Sequence, residues 1–117
     1  MFALKILTKV ISGKRNELLD TCRMIAEKTR QEKGCHDFRL SQDIDHDNLI
    51  CLEETWENRS YLDEHFRSDI FSALLGAVKL LSDTYEIRVN DESQTEGMEA
   101  VEAARSKAKN NSVNSEP

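Results

Sequence analysis

The chain has 117 residues, 38% hydrophobic and 32% charged, with a formal net charge of −6. That length holds one domain. The acidic balance argues against non-specific nucleic-acid binding, which needs a basic surface to displace counterions. No apolar run approaches the roughly 20 residues of a membrane span. In the opening stretch, MFALKILTKVISGKR, Lys5 and Lys9 interrupt the apolar run and no small-residue cleavage site follows. It reads as structure rather than as a secretory leader, and a cytoplasmic location is expected.

Residues 2–11 alternate as a strand. Phe2, Leu4, Ile6, Thr8 and Val10 share one face, and Ala3, Lys5, Leu7, Lys9 and Ile11 share the other. Ser12-Gly13 ends it. From Lys14 to Gln31 the period becomes helical, with Leu18, Leu19, Cys22, Ile25, Ala26 and Thr29 on one face. Glu32-Lys33-Gly34 closes this helix, and Gly34 suits the left-handed position there.

Residues 36–43 alternate again, with His36, Phe38, Leu40 and Gln42 predicted on one face. Asp45-His46-Asp47-Asn48 is a polar turn. Residues 49–56 form the next strand, with Ile50, Leu52, Glu54 and Trp56 pointing one way and Leu49, Cys51, Glu53 and Thr55 the other. The short polar connection makes the pair a hairpin. Asn58 caps a helix that carries Tyr61, Leu62, His65 and Phe66 on one side. Arg67-Ser68-Asp69 breaks or bends it, and Ser68 or Asp69 caps a continuation through Leu81. Residues 84–89 form the last strand, with Tyr85, Ile87 and Val89 on one face.

From Asn90 the composition shifts. Residues 91–117 hold six acidic and three basic side chains. They are expected to form an acidic polar tail, partly helical around 96–109 or disordered, dispensable to a domain spanning 1–90. The element order is β-α-β-β-α-β. It predicts an α+β, ferredoxin-like domain: a four-stranded antiparallel sheet with both helices on one face. The other sheet face then needs a cover, and a second copy of the chain is the simplest one.

Gly34-Cys35, Phe38, Leu40, Glu54-x-Trp56, Asn58, Leu62, His65, Ser68 and Phe71 together resemble the antibiotic biosynthesis monooxygenase family. The string EKGCxxFxLxxD, followed by ExW and a histidine nine residues after the tryptophan, carries most of the likeness. The resemblance implies a homodimeric α/β barrel with a pocket between sheet and helices in each subunit. It also implies a range of reactions: cofactor-independent oxygenation of quinols and polycyclic aromatics, oxidative haem breakdown, and isomerisation of a small carbonyl metabolite. The haem-degrading branch is disfavoured, because the positions that match its axial histidine and first-strand asparagine are Leu75 and Ile6.

The candidate chemistry centres on His65 and Glu54. A histidine on the inner side of a helix can act as a general base near neutral pH. It can equally be a structural histidine bonded to Glu54. A carboxylate on an apolar strand face must pair or shift its pKa. Glu54 is therefore expected to orient His65, to act as the base itself, or simply to pair. Trp56 is a candidate surface for stacking a planar substrate, and Phe38, Tyr61, Phe66 and Phe71 are candidate pocket walls. No glycine-rich fingerprint for a nicotinamide or flavin is present, and the resemblance implies a reaction that uses no cofactor and only O₂ and a small aromatic substrate. The alternatives are an isomerase acting on a small carbonyl compound and a non-catalytic dimeric ligand-binding module.

Two other clusters are weak. Asp43, Asp45, Asp47 and Glu54 fall at calcium-loop spacing, but Asn48 stands where that loop needs glycine. The three cysteines, Cys22, Cys35 and Cys51, form neither a disulfide framework nor a zinc motif. Cys22 and Cys51 read as small core residues. Cys35 has no base beside it to make it a nucleophile.

Overall fold

The computed structural model describes residues 1–92 and 96–114, with side chains through 107. Strand β1 (Phe2–Val10) leads into helix α1 (Arg15–Thr29), then β2 (Cys35–Gln42) and β3 (Leu49–Trp56). Two helices follow, α2 (Arg59–Phe66) and α3 (Asp69–Leu81), then β4 (Ser82–Asp91) and α4 (Met98–Asn114). The sheet is antiparallel in the order β2-β3-β1-β4, the ferredoxin-like order.

One face of the sheet carries the core. Leu4, Ile6, Phe38, Leu52 and Trp56 are sealed against Leu18, Cys22 and Ile25 of α1 and Leu74 and Val78 of α3. The period-2 alternation of β1 and β3 and the 3.6-residue stripe of α1 place these side chains as the sequence predicts. Leu18, Cys22, Ile25, Ala26 and Thr29 are all buried.

The helical segment after β3 is broken at residues 67–68, for a local reason. Asn58 caps α2 by accepting the Tyr61 N–H at 3.1 Å. Ser68 starts α3 by accepting the Phe71 N–H at 3.1 Å, while its hydroxyl donates to the His65 carbonyl at 2.6 Å. One serine therefore ends the first helix and begins the second.

The structure departs from the sequence reading in five places. Cys51, read as a core residue, is half-buried on the open face of β3. β2 carries a bulge at His36: Cys35 pairs with Trp56 and Asp37 with Thr55. Cys35 therefore takes the inward position predicted for His36, and His36 is exposed. β4 begins at Ser82 directly after α3, longer at both ends than residues 84–89. Its inner face is not covered: Tyr85, Ile87 and Val89 are 41%, 40% and 36% exposed. β4 is an edge strand, and only the end of the helical layer reaches it. Finally, the tail contains α4, longer than the predicted short helix, while residues 93–95 and 115–117 of that tail lie outside the described residues.

Candidate functional site

β3 alternates with one face in the core, so Glu54 is buried for the same reason as Ile50, Leu52 and Trp56. Its side chain is 0% exposed. A carboxylate there must be compensated, and two groups approach it. Trp56, two residues along the same face, donates Nε1–H to Glu54 Oε1 at 3.0 Å. His65, on the inward side of α2 and 1% exposed, brings Nε2 to 3.0 Å from the same oxygen. The other ring nitrogen, Nδ1, lies 2.7 Å from Glu32 Oε2.

The two contacts of His65 are not equivalent. The Nδ1–Glu32 contact is an aligned hydrogen bond. The Nε2–Glu54 contact has the distance of an ion pair, but the ring nitrogen does not point along the hydrogen-bond line. Among the described residues, neither Nε2 nor the buried Glu54 Oε2 has a hydrogen-bond partner. The imidazole is held by rings on two sides: it stacks on Trp56 at 4.6 Å with 30° between planes, and Phe71 meets it edge-on at 5.3 Å.

Burial disfavours the charged imidazole, but the close carboxylates of Glu54 and then Glu32 outweigh it. The pKa of His65 therefore lies above its ordinary value of 6.5. The protonated ring is stabilised between two carboxylates, which makes the neutral ring a stronger base.

Of the seven predicted site residues, the fold brings His65, Glu54, Trp56 and Phe71 into direct contact. Phe66 joins at one remove, edge-on to Phe71 at 5.0 Å. Phe38 sits across from Glu54 on β2, with the Arg30 guanidinium 5.8 Å over its ring. Tyr61 is turned toward the α1–β2 connection, where its ring packs on Gly34 and lies 5.8 Å below the Lys33 ammonium.

Glu32 is the residue that sequence reasoning missed. It read as part of a helix end, and its partner is 33 residues away. The only sequence signal was its place in the EKGC string.

Of the remaining candidates, the aspartate-rich turn lies away from this site and Cys35 lies beside it. In the aspartate-rich turn, the Asp43 carboxylate accepts the backbone N–H groups of Asp45 and His46 at 3.0 and 3.1 Å, so it closes the turn. Glu54 faces the core, away from that loop. Burial pushes the Cys22 thiol up to about 11. The Cys35 thiol is also pushed up to about 11, by burial and then by the negative charge of Glu54. Neither has the lowered pKa of a reactive thiol.

The opposite face of the sheet holds a separate depression of about 670 Å³. Leu7, Lys9, Ser41, Leu49, Cys51 and Glu86 are among its lining residues. None of the His65 network lines it.

Solved structures share this architecture. A protein of Methanosarcina mazei Go1 superposes with a TM-score of 0.69 at 27% identity, covering 77% of this chain and 92% of its own. A structure described as an antibiotic biosynthesis monooxygenase gives a TM-score of 0.71 at 23% identity, over 78% of this chain and 97% of that one. Rv0793 from Mycobacterium tuberculosis gives 0.73 at 22% identity, over 82% and 98%. A search of curated protein sequences finds no match. The model of the antibiotic biosynthesis monooxygenase family matches residues 1–77, which include β1, the hairpin and the whole Glu32–His65–Glu54–Trp56 network. The chain belongs to the antibiotic biosynthesis monooxygenase family.

Proposed function

We propose that the protein is a cofactor-independent monooxygenase acting on a small quinol-like or polycyclic aromatic substrate, with His65 as base and Glu54 orienting it. One observation carries this reading. Among the described residues, two buried polar atoms on neighbouring side chains, His65 Nε2 and Glu54 Oε2, have no hydrogen-bond partner. Unpaired buried acceptors are costly, and a substrate hydroxyl would supply the missing hydrogen. Transfer of that proton to Nε2 leaves an imidazolium between Glu32 and Glu54. The phenolate that remains is electron-rich enough to pass an electron to O₂ directly. Trp56 and Phe71 line the imidazole with aromatic surface suited to a planar ring.

The complete burial of His65, Glu54 and Trp56 favours a second reading, in which the network is a clamp that joins α2 to the sheet. On the first reading α2 must lift for the substrate to enter. This helix has eight residues, and Leu62 and His65 are its buried ones. On the second reading α2 stays shut and no reaction occurs.

In either case we expect a homodimer, formed through the sheet face that the helices leave open. Oxygen consumption with a panel of quinols separates the two readings. Uptake that is lost in a folded His65→Ala protein supports the oxygenase. No uptake with any quinol leaves the clamp.

A further inference from the structure

The connection between α1 and β2 is docked on α2 through three consecutive residues. Glu32 bonds to His65 at 2.7 Å. Lys33 lies 5.8 Å over the Tyr61 ring. Gly34 adopts φ +88° and accepts the Glu57 N–H at 2.8 Å. A Cβ at residue 34 would stand 2.3 Å from Tyr61 Cγ, so only glycine permits this approach. The Glu32 backbone is fixed as well: its N–H donates to Thr29 at 3.0 Å and its carbonyl accepts from Cys35 at 3.2 Å. Glu32 therefore presents its carboxylate to His65 from a rigid turn. Its side chain is 28% exposed, whereas those of His65 and Glu54 are 0% exposed. Glu32 is the carboxylate through which the buried pair meets water.

We propose that Glu32 is a positioning residue that acts through His65: its carboxylate accepts the Nδ1–H and commits the neutral ring to the tautomer with Nε2 free on the Glu54 side. A ring nitrogen's protonation is set by the bond that the other nitrogen makes. The charge of Glu54 pulls the proton toward Nε2, but only the contact at Nδ1 is a shorter, formed hydrogen bond, 2.7 Å against 3.0 Å. With Nδ1–H fixed on Glu32, the basic lone pair is on the Glu54 side of the ring, 3.0 Å from Oε1. The catalytic half of this inference rests on the reading of His65 as base. The tautomer half does not.

The groups that face His65 are few. Glu32 comes from the α1–β2 turn, and Glu54 and Trp56 from β3. Phe71 comes from α3, and the Ser68 hydroxyl bonds to the His65 carbonyl. Cys35 on β2 lies near both carboxylates, and its thiol stays protonated through the neutral range. A change in the His65 titration on altering Glu32 is therefore readable as the loss of one named partner.

The test is the ¹⁵N spectrum of the histidine rings, followed from pH 5 to 10. The chain has three histidines, and His36 and His46 are exposed, so they serve as internal references. In the wild-type protein the neutral His65 ring should carry its proton on Nδ1. Glu32→Ala should give a mixed or reversed tautomer and a lower His65 pKa. Glu32→Gln keeps an acceptor oxygen without the charge, so it should lower the pKa but retain the tautomer. If a quinol substrate is found, Glu32→Ala should lower kcat at least tenfold with little change in KM, and Glu32→Gln should recover part of that loss. A wild-type neutral ring protonated on Nε2 would overturn the proposal without any variant. So would a tautomer and a titration that are unchanged in folded Glu32→Ala. If no quinol is turned over, the oxygenase reading fails while the ring spectrum still decides the role of Glu32.

Discussion

Glu53 and Glu54 are adjacent in β3 and live in different worlds. Glu53 points to the open face, opposite Lys5 on β1 and Arg39 on β2. Glu54 points to the core, between Leu4 and Phe38, and leans on Trp56 and His65. The strand's period of 2 decides which carboxylate is solvated and which must be compensated by buried partners. The same division runs across the whole sheet. Its helix side holds the polar chemistry in a sealed space, and its open side holds a depression of about 670 Å³. The candidate reactive groups and the available room are on opposite faces.

The strongest way to break this contrast is to empty the sealed side. Trp56→Ala removes a fully buried indole together with the hydrogen bond that holds Glu54. It should cost about 3–5 kcal/mol, read as a shift of the urea midpoint. His65→Ala should cost a similar ~3–5 kcal/mol, because it leaves a buried carboxylate without its cation. If either loss were below about 1 kcal/mol, the network would not be integral to the fold.

The open side is tested by association. If a second copy covers it, the wild-type protein should run as a dimer in light scattering. Leu7→Glu, which places a charge in the middle of that face beside Glu86, should then shift it to monomer. A wild-type protein that is monomeric at micromolar concentration would remove the face-to-face dimer.

A smaller effect comes from pH. The native pKa of His65 is raised above its ordinary 6.5. The native state therefore binds the proton more tightly than the unfolded chain. The resulting stability is fully present below about pH 6.5 and is lost as pH rises through the native value. Melting temperature should fall as pH rises through that window, and His65→Gln should flatten the fall. A wild-type protein that gains stability across the window would show that the two carboxylates do not hold a charged ring.

The smallest effect is expected for Glu53→Gln, on the open face. It should change stability by no more than about 0.5–1 kcal/mol in the isolated subunit, as for other partly solvated pairs. Measured beside Glu54→Gln in the same denaturation series, it gives the contrast between adjacent carboxylates directly. Equal effects would contradict it.

Much of this arrangement is legible in the residues themselves. Alternation in β1 and β3, the apolar stripe of α1, and the caps at Asn58 and Ser68 are local signals, and they lead directly to the observed elements. The convergence of Glu54, Trp56 and His65 follows once β3 and α2 are on the same side of the sheet. Glu32 was not legible, because its partner is distant in sequence and a helix-ending Glu-Lys-Gly satisfies every local rule. The bulge at His36 was hidden for a related reason: HDFRLSQD alternates without interruption, and only pairing with β3 reveals the extra residue. The bare inner face of β4 was missed because period 2 identifies a face but not whether anything covers it. Tyr85, Ile87 and Val89 form the expected stripe, yet they stand at the sheet's edge beyond the reach of α1.

The central claim is that the sealed network is a base for oxygenation, and oxygen uptake tests it most directly. Wild-type protein should consume O₂ with at least one quinol or hydroxylated polycyclic aromatic, without added metal or cofactor. His65→Ala and His65→Gln, confirmed as folded by circular dichroism, should lose about 10²–10⁴-fold of that rate, the usual contribution of a general base. Uptake that survives intact in both variants would contradict the account.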